Sequence, residues 1–299
     1  MSTGEAPMFE QLGLIGCGLM GSSFALALRQ AGLVKRVVGY SKSPSTTEQA
    51  RQLGIIDVEA PSALLAASGA DIVLLAVPVA AIGPTLKAIR HVVTSEMLVM
   101  DVGSTKADVV EAAREALRER IGSFVPAHPI AGAESSGPAK ARADLYRDRQ
   151  VVLTPIERTL TIRLQQAEAV WKALGCSVRQ MSPDTHDAAL AAISHLPHML
   201  AFAAVNALDG QPQGSEFLGL AGPGFRDYSR IAAASPEMWR DILLANRAEL
   251  RRQADAFRLA LNALEDAMER GDAQQLEALI ARASRVRSAW RMHTAGAAL

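Results

Sequence analysis

Between Gln11 and Ser22 the chain reads QLGLIGCGLMGS: an apolar run breaks on three glycines and flows into a helix-compatible segment, Ser22 to Leu28. Strand, glycine turn and helix in that order leave little freedom of architecture. Gly16 permits the tight turn, Gly18 lacks the Cβ that would block a pyrophosphate, and Gly21 lets the helix approach the strand closely. The diphosphate of a dinucleotide would lie on the unpaired N–H groups at the helix N-terminus, with Leu19 and Met20 lining the turn. The motif alone is weak evidence. Its weight comes from the alternation of strands and helices that it begins.

Arg36–Tyr40 reads as a second strand and Ser45–Leu53 as a helix that opens on Ser43 and Pro44. Asp71–Val77 (DIVLLAV) is a continuous apolar run, as expected of a parallel strand covered on both faces. Val77 and Pro78 end it at the cofactor side, and a helix returns over Ala80–His91. Met97–Val102 is another such strand, followed by Gly103-Ser104-Thr105-Lys106 and a helix from Ala107 to about Arg120. Ser123–Ala127 is a further strand that ends at His128. This rhythm predicts an α/β fold, a Rossmann-type doubly wound sheet. Gly132–Arg149 reads as a loop with a short helix; Gln150–Thr154 and Ser177–Met181 read as strands around a helix over Glu157–Leu174.

After Pro183 strand-like runs cease and helical spacing takes over. Leu250, Phe257, Leu261, Leu264 and Met268 mark one apolar stripe, with Arg251, Arg252, Asp255, Glu265 and Glu269 as its solvated side. The expected division is therefore residues 1–182, a dinucleotide-binding domain, and 183–299, an all-helical substrate and dimerisation domain. Ala188–Leu208 is long enough to cross a bilayer. It carries His195, Pro197, His198 and Asn206, and alanine is its commonest residue, so it is read as a domain-core or subunit-interface helix, buried on most sides within protein, rather than a membrane span. The terminal HTAGAAL is expected to fray, leaving His293 idle.

Composition narrows the classes of partner. Lys plus Arg and Asp plus Glu both number 31 in 299 residues, so no net field favours nucleic acid or an anionic membrane. Cys17 and Cys176 form neither a disulfide framework nor a metal-ligand pattern. The first ten residues lack the basic and apolar regions of a signal peptide, which predicts a cytoplasmic protein.

In an open α/β sheet, ligands bind beyond the carboxyl ends of the strands. The glycine turn, Gly103–Lys106 and His128-Pro129 should all face that crevice. His128 then points toward the expected nicotinamide, although a plain surface histidine would fit the same position. Ser104 and Thr105 suit either function or capping of the next helix. At the end of the second strand, where NAD-binding chains carry a carboxylate about 20 residues past the glycines, this chain has Ser41, Lys42 and Ser43. Hydroxyls and a cation suit the 2′-phosphate of NADP, so NADP is expected to be preferred and NAD possible. His186, His195 and His198 gather imidazoles on one segment, and Pro197 should kink it. No carboxylate or cysteine stands at ligand spacing to them, so a metal is not expected. Arg226 and Arg230, four apart, could recognise a carboxylate or serve as ordinary surface.

Together these pieces resemble the prephenate/arogenate (cyclohexadienyl) dehydrogenase family: Gly16–Gly21, Asp101–Lys106, His128–Gly132, Ser194–His198 and Phe225–Ile231 occur in the family's order. The resemblance implies oxidative decarboxylation of a cyclohexadienol in tyrosine biosynthesis, with His128 as the base on the C4 hydroxyl and Ser104 hydrogen-bonded to His128 or to that hydroxyl. It implies that Arg230 holds the ring carboxylate and that His198, or else His195, contacts substrate. It also implies a stand-alone enzyme, since about ten residues precede the first strand, and a homodimer through the helical half. The competing readings are a reductase of the β-hydroxyacid dehydrogenase or pyrroline-carboxylate reductase type, and a non-catalytic NADP-binding dimer.

Overall fold

The computed structural model describes residues 8–132 and 136–291; the predicted frayed tail with His293 lies outside them, as does part of the predicted Gly132–Arg149 loop. The chain divides into two compact units. The first runs through Asp187 and takes in Ala234–Ala245 as well; the second comprises Ala188–Ala233 and the described residues from Asn246 onward.

The first unit begins with β1 (Phe9–Ile15), α1 (Leu19–Gln30), β2 (Val34–Tyr40), α2 (Pro44–Gln52), β3 (Val58–Glu59), α3 (Ala63–Ala67) and β4 (Ile72–Leu75). It continues with α4 (Val79–Ile89), β5 (Leu98–Asp101), α5 (Ala107–Leu117), β6 (Phe124–Val125) and β7 (Ala127–Pro129). Then come β8 (Gln150–Leu153), α6 (Thr161–Ala173), β9 (Ser177–Gln180) and α7 (Pro183–Leu190), in which the first unit ends.

Among the described residues, β1 to β6 form one parallel sheet in the order β3-β2-β1-β4-β5-β6, the arrangement of a dinucleotide-binding doubly wound fold. Because side chains alternate along a strand, each central strand feeds two cores. Leu12, Leu14, Ile72 and Leu74 pack with Phe24 and Leu28 of α1 and Trp171 of α6 on one face. Ile15, Val73, Leu75 and Val99 pack with Ile82 and Leu86 of α4 and Val109 and Ala113 of α5 on the other. Both thiols are buried, and burial pushes Cys17 up to about 11 and Cys176 up to about 12.

Three sequence expectations change here. The predicted strand Ser123–Ala127 is two strands: β6 stays in the parallel sheet, whereas β7 leaves it and pairs antiparallel with β8. Pro126 stands at the break and has no N–H for a ladder; its carbonyl accepts from Thr154 N instead. β8 and β9 therefore belong to a separate three-stranded sheet, and His128 lies within β7 opposite Val152 instead of at a strand end. The strand β3, with only Val58 and Glu59, has no apolar run long enough to announce it.

The rest of the chain is helical among the described residues: a π-turn at Ala191–His195, α8 (Leu196–Asp209), α9 (Gly214–Gly219), α10 (Pro223–Ser229), α11 (Pro236–Ala245), α12 (Arg247–Glu269) and α13 (Ala273–Ala289). Of these, α11 packs on α4 in the first unit. In the second unit, α12 runs beside α8, α13 and the π-turn.

Within one chain, Ala188–Leu208 is only partly buried. The continuous helical stretch Pro183–Asp209 has the length and apolarity to cross a membrane, yet only 28% of its most apolar window is buried. The α12 stripe behaves likewise: Leu250 is buried, but Phe257, Leu261 and Met268 are exposed.

Candidate active site

The glycine turn has the shape that its sequence requires. Gly16 adopts φ +101°, and a Cβ there would meet the Ala76 carbonyl oxygen at 2.2 Å. At Gly21 a Cβ would come within 2.0 Å of the Gly16 oxygen, which is why helix and strand can close up only on glycine. Around Gly18, in contrast, nothing lies within 4 Å, and Gly18 is the N-cap of α1 without a capping side chain. This cradle fits a diphosphate, because its surface is backbone N–H and no side chain intrudes. Leu19 is buried, and the Met20 carbonyl accepts from Tyr146 Oη at 2.7 Å, so the start of α1 is pinned.

Ser41, at the end of β2, accepts a hydrogen bond from Cys17 N at 2.8 Å, so its hydroxyl helps to hold the glycine turn. Lys42 and Ser43 are exposed at the start of α2, with Ser43 Oγ 2.9 Å from Ser45 Oγ. Val77 is half-buried, and Pro78 is the N-cap of α4.

Asp101 ties the next two segments together. It is fully buried at the end of β5 and forms an ion pair with the fully buried Lys106. Its Oδ2 also accepts from Gly103 N at 2.8 Å, and its Oδ1 accepts from Ala127 N at 3.0 Å. One carboxylate thus shapes the Gly103–Lys106 turn, which presents half-buried Ser104, and fastens that turn to the strand that carries His128.

His128 Nδ1 lies 2.8 Å from His186 Nε2, with the rings 5.0 Å apart and inclined at 65°. His186 is fully buried, and its Nδ1 lies 2.7 Å from Asp187 Oδ1. Asp187 also caps α5: Lys106 N donates to Oδ1 at 2.8 Å and Ala107 N to Oδ2 at 2.9 Å. Burial alone would raise the Asp187 carboxyl, but the bonds from His186, Ala107 and Lys106 outweigh it and hold the group below the usual carboxylate range.

In the second unit the two helix-borne histidines part ways. His195 ends the π-turn, is buried, and lies 3.1 Å from Asn246 Nδ2 at the start of α12. His198 is half-buried, and its Nδ1 donates to the Ser194 carbonyl at 2.9 Å. His195 thus meets Asn246, and His198 meets the Ser194 carbonyl one turn before it. Burial holds His198 below the usual imidazole range, against the Ser194 bond, and the charge of Arg230 adds to the lowering. Arg226 differs from Arg230: its side chain is 75% exposed and pairs with the adjacent Asp227 at 3.3 Å.

Against this geometry, comparison with known proteins is decisive. Residues 24–180 match the family model described as prephenate dehydrogenase, nucleotide-binding domain, and residues 182–282 match its dimerization domain. The chain belongs to the prephenate dehydrogenase family. It is 33% identical to the cyclohexadienyl dehydrogenase of Zymomonas mobilis over 90% of this chain and 92% of the relative. It is 35% identical to the prephenate dehydrogenase of Bacillus subtilis over 90% of this chain and 73% of the relative. The crystal structure of prephenate dehydrogenase from A. aeolicus, in complex with hydroxyphenyl propionate and NAD+, superposes with a TM-score of 0.87 at 34% identity, covering 96% of this chain and 98% of that one. Like these prephenate dehydrogenase relatives, the chain is an oxidoreductase with a Rossmann-type nucleotide-binding domain followed by a helical domain.

For this family member, sequence reasoning singles out His128, Ser104, His198 and Arg230. It gives no role to Asp101, Lys106 or Asp187, and it groups His186 with the imidazoles of the helical half. A carboxylate that ends an apolar strand is a signal for Asp101. No local pattern links His186 to His128, which stands 58 residues away.

Proposed function

We propose that this chain oxidises and decarboxylates prephenate, arogenate or both, yielding 4-hydroxyphenylpyruvate or tyrosine, and that it prefers NADP while accepting NAD. The observation that carries the reading is Asp101: its carboxylate binds the turn bearing Ser104 and the strand bearing His128 into one rigid corner. That corner follows β5 and β6 of a sheet whose glycine turn is shaped for a diphosphate. When bound, the nicotinamide supplies the hydride acceptor. His128 takes the proton of the C4 hydroxyl as the C4–H bond gives up its hydrogen with both electrons, leaving a carbonyl at C4. The C1–carboxylate bond then breaks, its electron pair enters the ring, and the C4 oxygen regains a proton as the ring becomes aromatic. Ser104 orients His128 or the hydroxyl. Arg230, whose charge reaches His198, holds the ring carboxylate, and His198 contacts the substrate beside it. His195, held at Asn246, and Arg226, paired with Asp227, are the lesser candidates for contact.

Gly16, Gly18, Leu19, Met20, Gly21, Val77, Pro78 and Gly103 line the cofactor side in this reading, and Lys42 with Ser43 receives the 2′-phosphate. Residues 1–182 bind the dinucleotide, and 183–299 bind substrate and pair two copies. The enzyme is a cytoplasmic homodimer that needs no metal.

Initial rates with prephenate and arogenate, each crossed against NAD and NADP, test the reading directly. Turnover with neither substrate would refute the function, and a lower KM for NAD would refute the cofactor preference. His128→Asn should lower kcat by about 10²–10⁴-fold, the usual contribution of a general base, with cofactor affinity little changed. Near-wild-type turnover in that variant would remove His128 from the role.

A further inference from the structure

We infer that Asp187 and His186 are positioning residues that set the tautomer of His128, so that its Nε2 carries the lone pair a base requires. The inference rests on the reading of His128 as the base.

The constraint starts at a group that can only accept. Asp187 is buried at the N-terminus of α5, where two backbone N–H groups and the helix dipole favour its ionised form. An ionised carboxylate has no proton to give, so in the 2.7 Å contact the proton sits on His186 Nδ1. Full burial disfavours a charged His186 ring, and a neutral imidazole carries one N–H, which makes His186 Nε2 an acceptor. The 2.8 Å contact to His128 therefore takes its proton from His128 Nδ1, and the unprotonated nitrogen of the neutral His128 ring is Nε2. Burial sharpens this logic. His186 is 0% exposed, so mismatched protons along the line would leave lone pairs or N–H groups opposed without solvent to relieve them. The logic is that of a serine-protease triad, in which a carboxylate fixes the tautomer of the catalytic histidine, with one more imidazole in the line.

The anchoring also links the base to the Ser104 turn. Asp187 is held by the backbone of Lys106 and Ala107, and Asp101 holds Lys106 Nζ and the strand of His128. His128 is thus oriented from two sides by carboxylates that share Lys106 as a common neighbour. Rotation of its ring would break the bond to His186, and a shift of β7 would break the bond from Ala127 to Asp101.

Nitrogen-15 NMR of the full-length protein with labelled histidine rings tests the assignment without relying on activity. The expected wild-type spectrum shows neutral His128 protonated at Nδ1; protonation at Nε2 would overturn the inference. His186→Phe keeps an aromatic ring but removes the acceptor. In it the His128 proton should spread to Nε2, and kcat should fall by about 10–100-fold, as when the partner behind a ligating histidine is lost at metal sites. KM for the cofactor should stay close to wild type. His186→Gln, whose amide oxygen can accept from His128, should restore the Nδ1–H tautomer and recover much of kcat. An unchanged tautomer in His186→Phe would overturn the inference, as would a kcat for His186→Gln no better than that of His186→Phe. Should His186→Phe not fold, the wild-type spectrum and His186→Gln decide. The base reading fails separately, if His128→Asn stays fast, and that result would leave the tautomer measurement untouched.

Discussion

The two units of this chain solve the burial problem differently. The first encloses its apolar residues: both faces of the parallel sheet are covered, and Leu12, Leu74, Phe24, Val99 and Trp171 are all 0% exposed. The second leaves large apolar side chains in the open, with Leu261 at 40%, Met268 at 61% and Val286 at 68%. Their polar groups differ in degree. Asp101, Lys106, His186 and Asp187 form a buried, bonded chain in the first unit, whereas the second buries His195 against Asn246 but leaves Arg226 exposed and His198 half-buried. A closed core can hold a proton-transfer group to a fixed geometry, whereas an open helical surface remains available to bind something else. The second unit carries the family's dimerization domain, and in the proposed homodimer a second copy covers the exposed apolar side chains of α12.

Three variants probe that contrast. The largest effect is expected at Lys106. Replacing it with Met leaves the Asp101 carboxylate buried without its cation, a change that costs about 3–5 kcal/mol when one partner of a buried pair is removed. Chemical denaturation should register that loss; a change under about 1 kcal/mol would mean that the backbone donors alone satisfy Asp101.

Next in size, Arg230→Ala should raise KM for substrate by about 10–100-fold, the equivalent of one charge-assisted hydrogen bond, with kcat less affected. The same variant should raise the titration midpoint of His198, since the nearby positive charge contributes to its depression. Stability shifts with pH in a definite direction. His198 is depressed below its ordinary 6.5, so the unfolded chain binds more protons between the two midpoints, and the contribution of His198 to folding is full above about 6.5 and lost as pH falls from there through the lowered folded-state midpoint. An unmoved midpoint would place Arg230 too far away to share a ligand with His198.

The smallest effect on the fold of either unit is expected from Leu261→Glu combined with Met268→Glu. These residues are exposed in one chain, so thermal unfolding of the first unit should be nearly unchanged while light scattering shows monomers. A dimer that survives would move the interface off the α12 stripe.

Local chemistry made the first half legible. Each βα step is announced by an apolar run and a breaker within a few residues, and the glycine turn by steric demands that only glycine meets. The same locality hid β3, which is too short to show a pattern, and the departure of β7 at Pro126, which depends on pairing with β8. In the helical half, periodicity located α12 but could not say whether its stripe faces the same chain or another. Histidine and arginine are visible in any sequence, but their partners are not.

By itself, then, the sequence determined the order of strands and helices apart from β3 and the β6–β7 break, the glycine cradle, and the identities of His128, Ser104, His198 and Arg230 as candidates. The order and the cradle arise from sterics and periodicity within a turn or two of chain, whereas the choice of Ser104, His198 and Arg230 rests on the resemblance to the family. Only the tertiary structure decided that His128 meets His186, that Asp187 caps α5, and that Asp101 fastens the Ser104 turn to β7. These contacts join residues 26 to 80 positions apart, and they exist because the fold brings strand ends and a helix N-terminus together in space. No local pattern encodes a hydrogen bond across such a distance, and at this site such bonds set where the proton sits.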